Sequence, residues 1–154
     1  MALQQALNEI IRRHESLRTT FRSYNGITVQ VILPPCKLDM PIIDLEHLAE
    51  AEREAEALRL VTDESQKLFD LEKGPLLRGL LVRLREVKYI LSLTTHHIIS
   101  DGWSLSVLIR ELNELYAACQ NGEPAHLAEL DIQYADFAAW QLSALESGQL
   151  KSQL

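Results

Sequence analysis

Two apolar runs stand almost back to back in this chain. "LLRGLLVRL" covers residues 76–84 and "KYILSLTTHHI" residues 88–98, with only "REV" between them. So short a connection forces neighbouring strands to run antiparallel. The pair is therefore expected to be an antiparallel hairpin, buried for most of its length. "LEKGP" before it reads as a turn. A sheet of this kind has to be covered, and the rest of the chain supplies candidate covers.

Leu3, Ala6, Leu7, Ile10 and Ile11 recur at helical spacing and predict a helix over about residues 2–14. "LRTTFRS" reads as a strand, Asn25-Gly26 as a two-residue hairpin turn, and "ITVQVIL" as the returning strand. That strand places Ile27, Val29 and Val31 on one face, and "PPC" ends it. "MPIIDL" is expected to be a loop. "EHLAEAEREAEALRLVTDESQKLF" is rich in strong helix formers and predicts one long helix or two, with a solvated acidic face. Leu105, Leu108, Ile109, Leu112, Leu115 and Tyr116 predict a helix from Trp103 to Cys119, stopped by Gly122 and Pro124. "IQYADFAAWQLSAL" predicts a last helix, with Tyr134, Phe137 and Trp140 expected to pack into the core. The sum is an α+β or mixed α/β domain, a sheet with several covering helices.

The composition narrows the function. A length of 154 residues and an apolar share of 47% suit one globular domain. The net charge of -7 argues against a nucleic-acid binder, which needs clustered Lys and Arg. No apolar run approaches a membrane span, and the opening segment lacks a secretory pattern. Cys36 and Cys119 lie far apart in no metal-type spacing, so free thiols in a cytoplasmic protein are expected.

The polar cluster "TTHHIISDGWS", residues 94–104, stands out from its apolar surroundings. On a strand, His96 and His97 point to opposite faces, so they do not share a metal ion. Ser100 or Asp101 can cap the following helix, and Gly102 can allow a tight turn. The histidines have two readings at this level. They are either packing residues with satisfied hydrogen bonds, or one of them handles a proton near neutral pH.

Three further stretches bear on that choice. "RHESLRTTF" (13–21), "HHIISDGWS" (96–104) and "YADFAAW" (134–140) resemble, in order and approximate spacing, the RHExLRTxF, HHxxxDGWS and YxDFAxW segments of condensation domains in non-ribosomal peptide synthetases. "FDLEKGPLLRGLLVRL" is also similar to the segment before that family's histidine strand. The resemblance implies an α/β fold, an α+β two-layer sandwich like chloramphenicol acetyltransferase, with a mixed sheet covered by helices. It implies two such lobes around a tunnel. Residues 1–154 match the N-terminal lobe alone. The first segment and the whole C-terminal lobe are expected elsewhere, so this chain is expected to be a fragment.

The implied reaction joins an upstream aminoacyl or peptidyl thioester to the amine of a downstream aminoacyl thioester. Both are carried on the phosphopantetheine arms of carrier proteins, beside a neighbouring adenylation domain. No metal or bound cofactor is implied for the lobe, nor nucleic acid or membrane. His97 matches the family's active-site histidine, as general base or as positioning residue. His96 is expected to face away and support the strand, Asp101 to brace the motif by pairing with Arg18, and Gly102 to leave clearance for a substrate arm. Trp103 is expected to pack as a wedge, and Ser104 to be a first-turn helix residue. His14 and Glu15 are expected to make helix-end contacts without taking part in catalysis.

Related activities remain as rivals. An epimerisation domain typically carries DGxSW, whereas Trp103 here precedes Ser104. A heterocyclising relative replaces the histidines with aspartate. A free-standing acyltransferase using coenzyme A thioesters shares HxxxD, and a lobe that only docks carrier proteins needs no chemistry at all.

Overall fold

The computed structural model describes residues 2–147. The outermost ends of the 1–154 domain assignment, Met1 and residues 148–154, lie outside them. The elements in chain order are α1 (Ala2–Arg13), a single 3-10 turn (Glu15–Arg18), β1 (Thr19–Tyr24), β2 (Ile27–Ile32) and β3 (Ile42–Asp44). There follow α2 (Glu50–Ser65), β4 (Leu77–Arg85), β5 (Lys88–Thr95), α3 (Gly102–Asn121) and α4 (Tyr134–Glu146).

The expected central hairpin forms. β4 and β5 pair antiparallel from Leu77↔Thr95 to Arg85↔Lys88, with a register shift between Arg83 and Arg85. The side-chain period of two divides β4 between two cores. Leu80, Val82 and Leu84 face a cluster with Leu45 and Ala57 of α2. Leu77 joins the larger cluster built from Leu7, Ile10 and Ile11 of α1 and Leu108 and Leu115 of α3. A Cβ added at Gly79 would stand 3.0 Å from Leu38 and 3.2 Å from Met40. The segment that crosses the strand there needs a residue without a side chain. β5 is less buried than expected. It is an edge strand among the described residues, exposed at Lys88 and Tyr89 and only partly covered from Ile90 to Thr95.

β3 pairs parallel with β4 through Ile42↔Leu81, Ile43↔Val82 and Asp44↔Arg83, making the sheet mixed, in the order β3-β4-β5. It corrects the loop expected for "MPIIDL". Three residues carry no periodic signal, and a parallel pair to a distant strand has no local signature. The β1–β2 hairpin closes where expected, with Asn25 at φ 50° and Gly26 at φ 79°. Both central residues of a tight hairpin turn need that left-handed backbone. The hairpin forms a separate two-stranded sheet, however, and Ile27 and Val29 are exposed on it. Only its base is buried, at Thr19 and Thr20.

One polar contact lies inside the α1–α3 interface. Arg13 and Glu111 are 5% and 4% exposed, and Arg13 Nε donates to Glu111 Oε2 at 3.2 Å. Arg13 Nη2 donates to the Ala128 carbonyl at 2.7 Å, and His14 Nε2 approaches Glu111 Oε2 to 2.9 Å. Burial raises the cost of ionising Glu111. The hydrogen bond from His14, then the hydrogen bond and charge of Arg13, outweigh it and hold the carboxyl below its usual range.

A carboxyl whose pKa is lower in the folded state stabilises the fold fully above its unfolded pKa, about 4.3, and loses that contribution as pH falls through the folded value. Glu111→Gln should therefore destabilise the domain at pH 7, and the gap to the parent protein should narrow at pH values below 4. Urea unfolding of both proteins at each pH measures it; a gap that stays constant with pH would exclude the ionised pair.

Candidate functional site

His96, His97, Asp101, Gly102 and Trp103 lie on one continuous loop and helix start, between β5 and α3. The loop is pinned at several points. His96 N–H donates to the Leu76 carbonyl at 3.0 Å, extending the β4–β5 pairing one step beyond the strand. Ile99 N–H donates to the His96 carbonyl at 3.1 Å, and the Ile99 side chain is buried in the larger core. The Thr95 and Ser100 hydroxyls lie 2.6 Å apart.

The two histidines differ in every contact. His96 packs edge-on against Phe69, ring centroids 5.9 Å apart, and its Nδ1 accepts the Ile98 N–H at 3.0 Å. The Arg78 guanidinium covers the Phe69 ring at 3.8 Å. His97 is exposed and lines a cavity of about 310 Å³, shared with Ser16, Phe21, Ile132, Gln133 and Tyr134 among others. Its Nδ1 lies 2.5 Å from the Ser100 carbonyl oxygen. A carbonyl only accepts, so Nδ1 carries the proton. The other nitrogen, Nε2, then keeps its lone pair in the neutral ring.

Asp101 caps α3. Its carboxylate accepts the Ser104 N–H at 2.8 Å and the Ser104 hydroxyl at 2.8 Å, while its own N–H donates to Ser104 Oγ at 2.6 Å. These bonds, the Ser104 backbone N–H first, hold the Asp101 carboxyl below the usual range. The expected Asp101–Arg18 pair is absent among the described contacts. Arg18 Nη1 donates to the Leu33 carbonyl at 2.5 Å and Nη2 to Glu15 at 3.3 Å, at the base of the β1–β2 hairpin. A partner three residues away satisfies Asp101 with little ordering cost, and the arginine is occupied elsewhere.

Gly102 and Trp103 also depart from expectation. Gly102 has no positive φ, and a Cβ there would meet nothing within 4 Å, so the turn does not require a glycine. Trp103 is 81% exposed and wedges into no core. It stands at the edge of a second cavity of about 210 Å³, with Leu17, Val107 and Leu108 in its lining. Tyr134, Phe137 and Trp140 stack on one another along α4, at centroid distances of 6.1 and 5.7 Å, and remain exposed. They do not form the core face that their spacing predicts. Among the described residues, no group of three or more His, Cys, Asp and Glu could hold a metal, and no helix is long and apolar enough to cross a membrane.

Gln133 also lines the cavity and Glu111 holds His14 from behind it, and the motifs single out neither. Glu111 falls on the same helical face as Leu108 and Leu115, and an acid on an apolar stripe is the signal the sequence offers for it. Gln133 Oε1 accepts the Glu15 N–H at 3.1 Å and Nε2 donates to the Arg13 carbonyl at 2.8 Å, tying the start of α4 to the end of α1 beside the cavity. No local pattern announces such a bridge across the chain.

Residues 1–154 match the family described as Condensation domain. Chondramide synthase cmdD of Chondromyces crocatus is 51% identical over 140 residues, covering 91% of this chain and 4% of that protein. A linear gramicidin synthase of Brevibacillus parabrevis is 46% identical over 153 residues, covering 99% of this chain and 2% of that protein. The crystal structure of the X-domain from teicoplanin biosynthesis superposes with a TM-score of 0.82 at 32% identity, covering 96% of this chain and 31% of that one. The chain thus spans a small part of each of these relatives.

The capping box ties Asp101 to the fold of the α3 start. Asp101→Ala should lower the melting temperature by a few degrees along with activity, and Asp101→Asn, which still accepts the Ser104 N–H, should recover most of the melting temperature. Thermal unfolding followed by circular dichroism decides it; an unchanged melting temperature with lost activity would make Asp101 a direct participant in the chemistry.

Proposed function

This chain belongs to the condensation-domain family, and on that premise we propose that it forms part of the N-terminal lobe of a peptide-bond-forming acyltransferase. The donor is an aminoacyl or peptidyl thioester on one carrier protein. The acceptor is the amine of an aminoacyl thioester on a second carrier. Both reach the site on phosphopantetheine arms, within a cytoplasmic multienzyme that also holds an adenylation domain. The C-terminal lobe completes the tunnel.

One observation carries this reading. His97 lines a cavity with its Nδ1–H tied to the Ser100 carbonyl, which leaves Nε2 as an acceptor. The acceptor amine has a pKa of roughly 7.7 to 8.0 in a free α-amino group, so about a fifth to a third is neutral at physiological pH. Its nitrogen attacks the thioester carbonyl carbon and the C–N bond forms. The amine N–H hydrogen-bonds to His97 Nε2, which aims the nitrogen lone pair at the carbonyl. The C–S bond then breaks, and the proton lost by nitrogen ends on the departing thiolate of the donor arm. His97 serves as base if it carries that proton, and as positioning residue if it only orients the amine. A thioester is already activated, so holding two tethered groups in register supplies much of the rate.

The neighbouring residues fit supporting roles. His96 is engaged by Phe69 and the Ile98 N–H and is not free for the amine. Gly102 has no local structural need for glycine, which favours clearance for a substrate arm. The order Trp103-Ser104 favours condensation over epimerisation, and the paired histidines favour it over heterocyclisation.

In the intact condensation domain, His97→Ala should reduce dipeptide formation by about a hundredfold or more, the usual scale for a positioned acid–base group, with carrier loading unchanged. Quantifying the carrier-bound product by mass spectrometry checks it. Product at the parent rate would remove His97 from the chemistry, and loading without product by the parent protein would favour a docking lobe. The 154-residue chain alone should give no dipeptide in the same assay, because half the tunnel is absent; turnover by that chain would refute the two-lobe requirement.

A further inference from the structure

The cavity that holds His97 has a second imidazole in its wall. His14 follows the last residue of α1, and its Nε2 lies 2.9 Å from Glu111 Oε2. Glu111 is ionised, and a carboxylate only accepts, so His14 Nε2 is the donor, and in the neutral ring Nδ1 keeps its lone pair. Among the described residues, the other nitrogen, Nδ1, has no hydrogen-bond partner, while the side chain keeps 21% of its surface exposed. Both cavities are lined by His14, with Ser16, Ile99, Ser100 and Ser104. His14 therefore stands on the wall where the His97 cavity meets the more apolar one.

Charge balance does not explain this arrangement. Arg13 already supplies Glu111 with a buried counter-ion at 3.2 Å. What Glu111 adds is a fixed tautomer and ring plane for His14, the part a carboxylate plays behind an imidazole elsewhere. Resting on the condensation reading above, we propose that His14, oriented by Glu111, is a substrate-binding residue whose Nδ1 accepts a hydrogen bond from an amide N–H of the bound substrate. Peptidyl thioesters and pantetheine arms both carry amide N–H groups, so two sources share this chemistry.

Two substitutions separate the two ring nitrogens in the intact condensation domain. His14→Gln places a donor where Nε2–H bonds Glu111 and leaves no acceptor at the Nδ1 position. His14→Asn places an acceptor near Nδ1 and loses the reach to Glu111. We expect His14→Gln to keep the parent melting temperature and lose roughly tenfold in kcat/KM, the scale of one hydrogen bond. We expect His14→Asn to melt lower yet keep a kcat/KM above that of His14→Gln. The reverse order, with Gln active and Asn inactive, would overturn the proposal, as would parent kinetics in both or failure of both to fold. If only His14→Gln fails to fold, His14→Asn decides: near-parent kcat/KM supports the proposal and a tenfold loss overturns it.

Donor choice identifies the source. A loss confined to peptidyl donors, and absent for a simple acyl donor without an amide, assigns the bond to the peptidyl amide. An equal loss with both assigns it to the pantetheine arm. His97→Ala, run alongside, keeps the two readings apart. If it abolishes product while His14→Gln does not, only the role of His14 fails; if it leaves product intact, the condensation reading itself fails.

Discussion

A carboxylate buried between two helices is the constraint on which the site depends. Glu111 lies on the α3 face that packs against α1, and an unpaired charge there would cost several kcal/mol. Arg13 and His14, adjacent at the end of α1, both reach its Oε2. Apolar side chains can slide past one another at modest cost, but this contact has one satisfactory register. It fixes where α1 ends relative to α3, and so where the first turn of α3 and the histidine loop sit above the sheet. The same contact places His14 on the cavity wall, so one polar cluster both sets the helix register and shapes the site.

Short-range bonds then set the loop. The Asp101–Ser104 capping box closes the start of α3, buried Ile99 anchors the middle, and the Leu76 carbonyl holds His96 in line with the strand. His97 is left facing the cavity with its ring set by the Ser100 carbonyl. A brace from Arg18 is unnecessary in this arrangement, because the Asp101 carboxylate it would have served already has nearer donors. Local partners order fewer side chains than distant ones and so hold a small loop at lower entropic cost.

The exposed apolar residues show how far periodicity carries. Tyr134, Phe137 and Trp140 fall on one helical face and do stack together, yet the face they form is open. Ile27 and Val29 share a strand face that stays exposed among the described residues. A repeat in the sequence identifies residues that lie side by side. It does not say what lies opposite them, because that depends on elements distant in the chain.

The sequence alone determined the helices, both hairpins, a cap at Ser100 or Asp101 and the order of motifs that points to condensation domains. Each of these depends on residues within a few positions of one another, or on a short turn with a fixed geometry, and such preferences are written locally. Only the tertiary structure decided the parallel strand Ile42–Asp44, the exposure of Trp103, the separation of Arg18 from Asp101, and the meeting of His14 with Glu111. Those outcomes turn on pairings between distant parts of the chain, as with Ile42↔Leu81 and His14 with Glu111, or on which of several possible partners is nearest once the core has packed. The histidine pair sits at the boundary between the two. Its motif was legible, but which ring nitrogen carries the proton came from a backbone carbonyl that only the folded loop brings within reach.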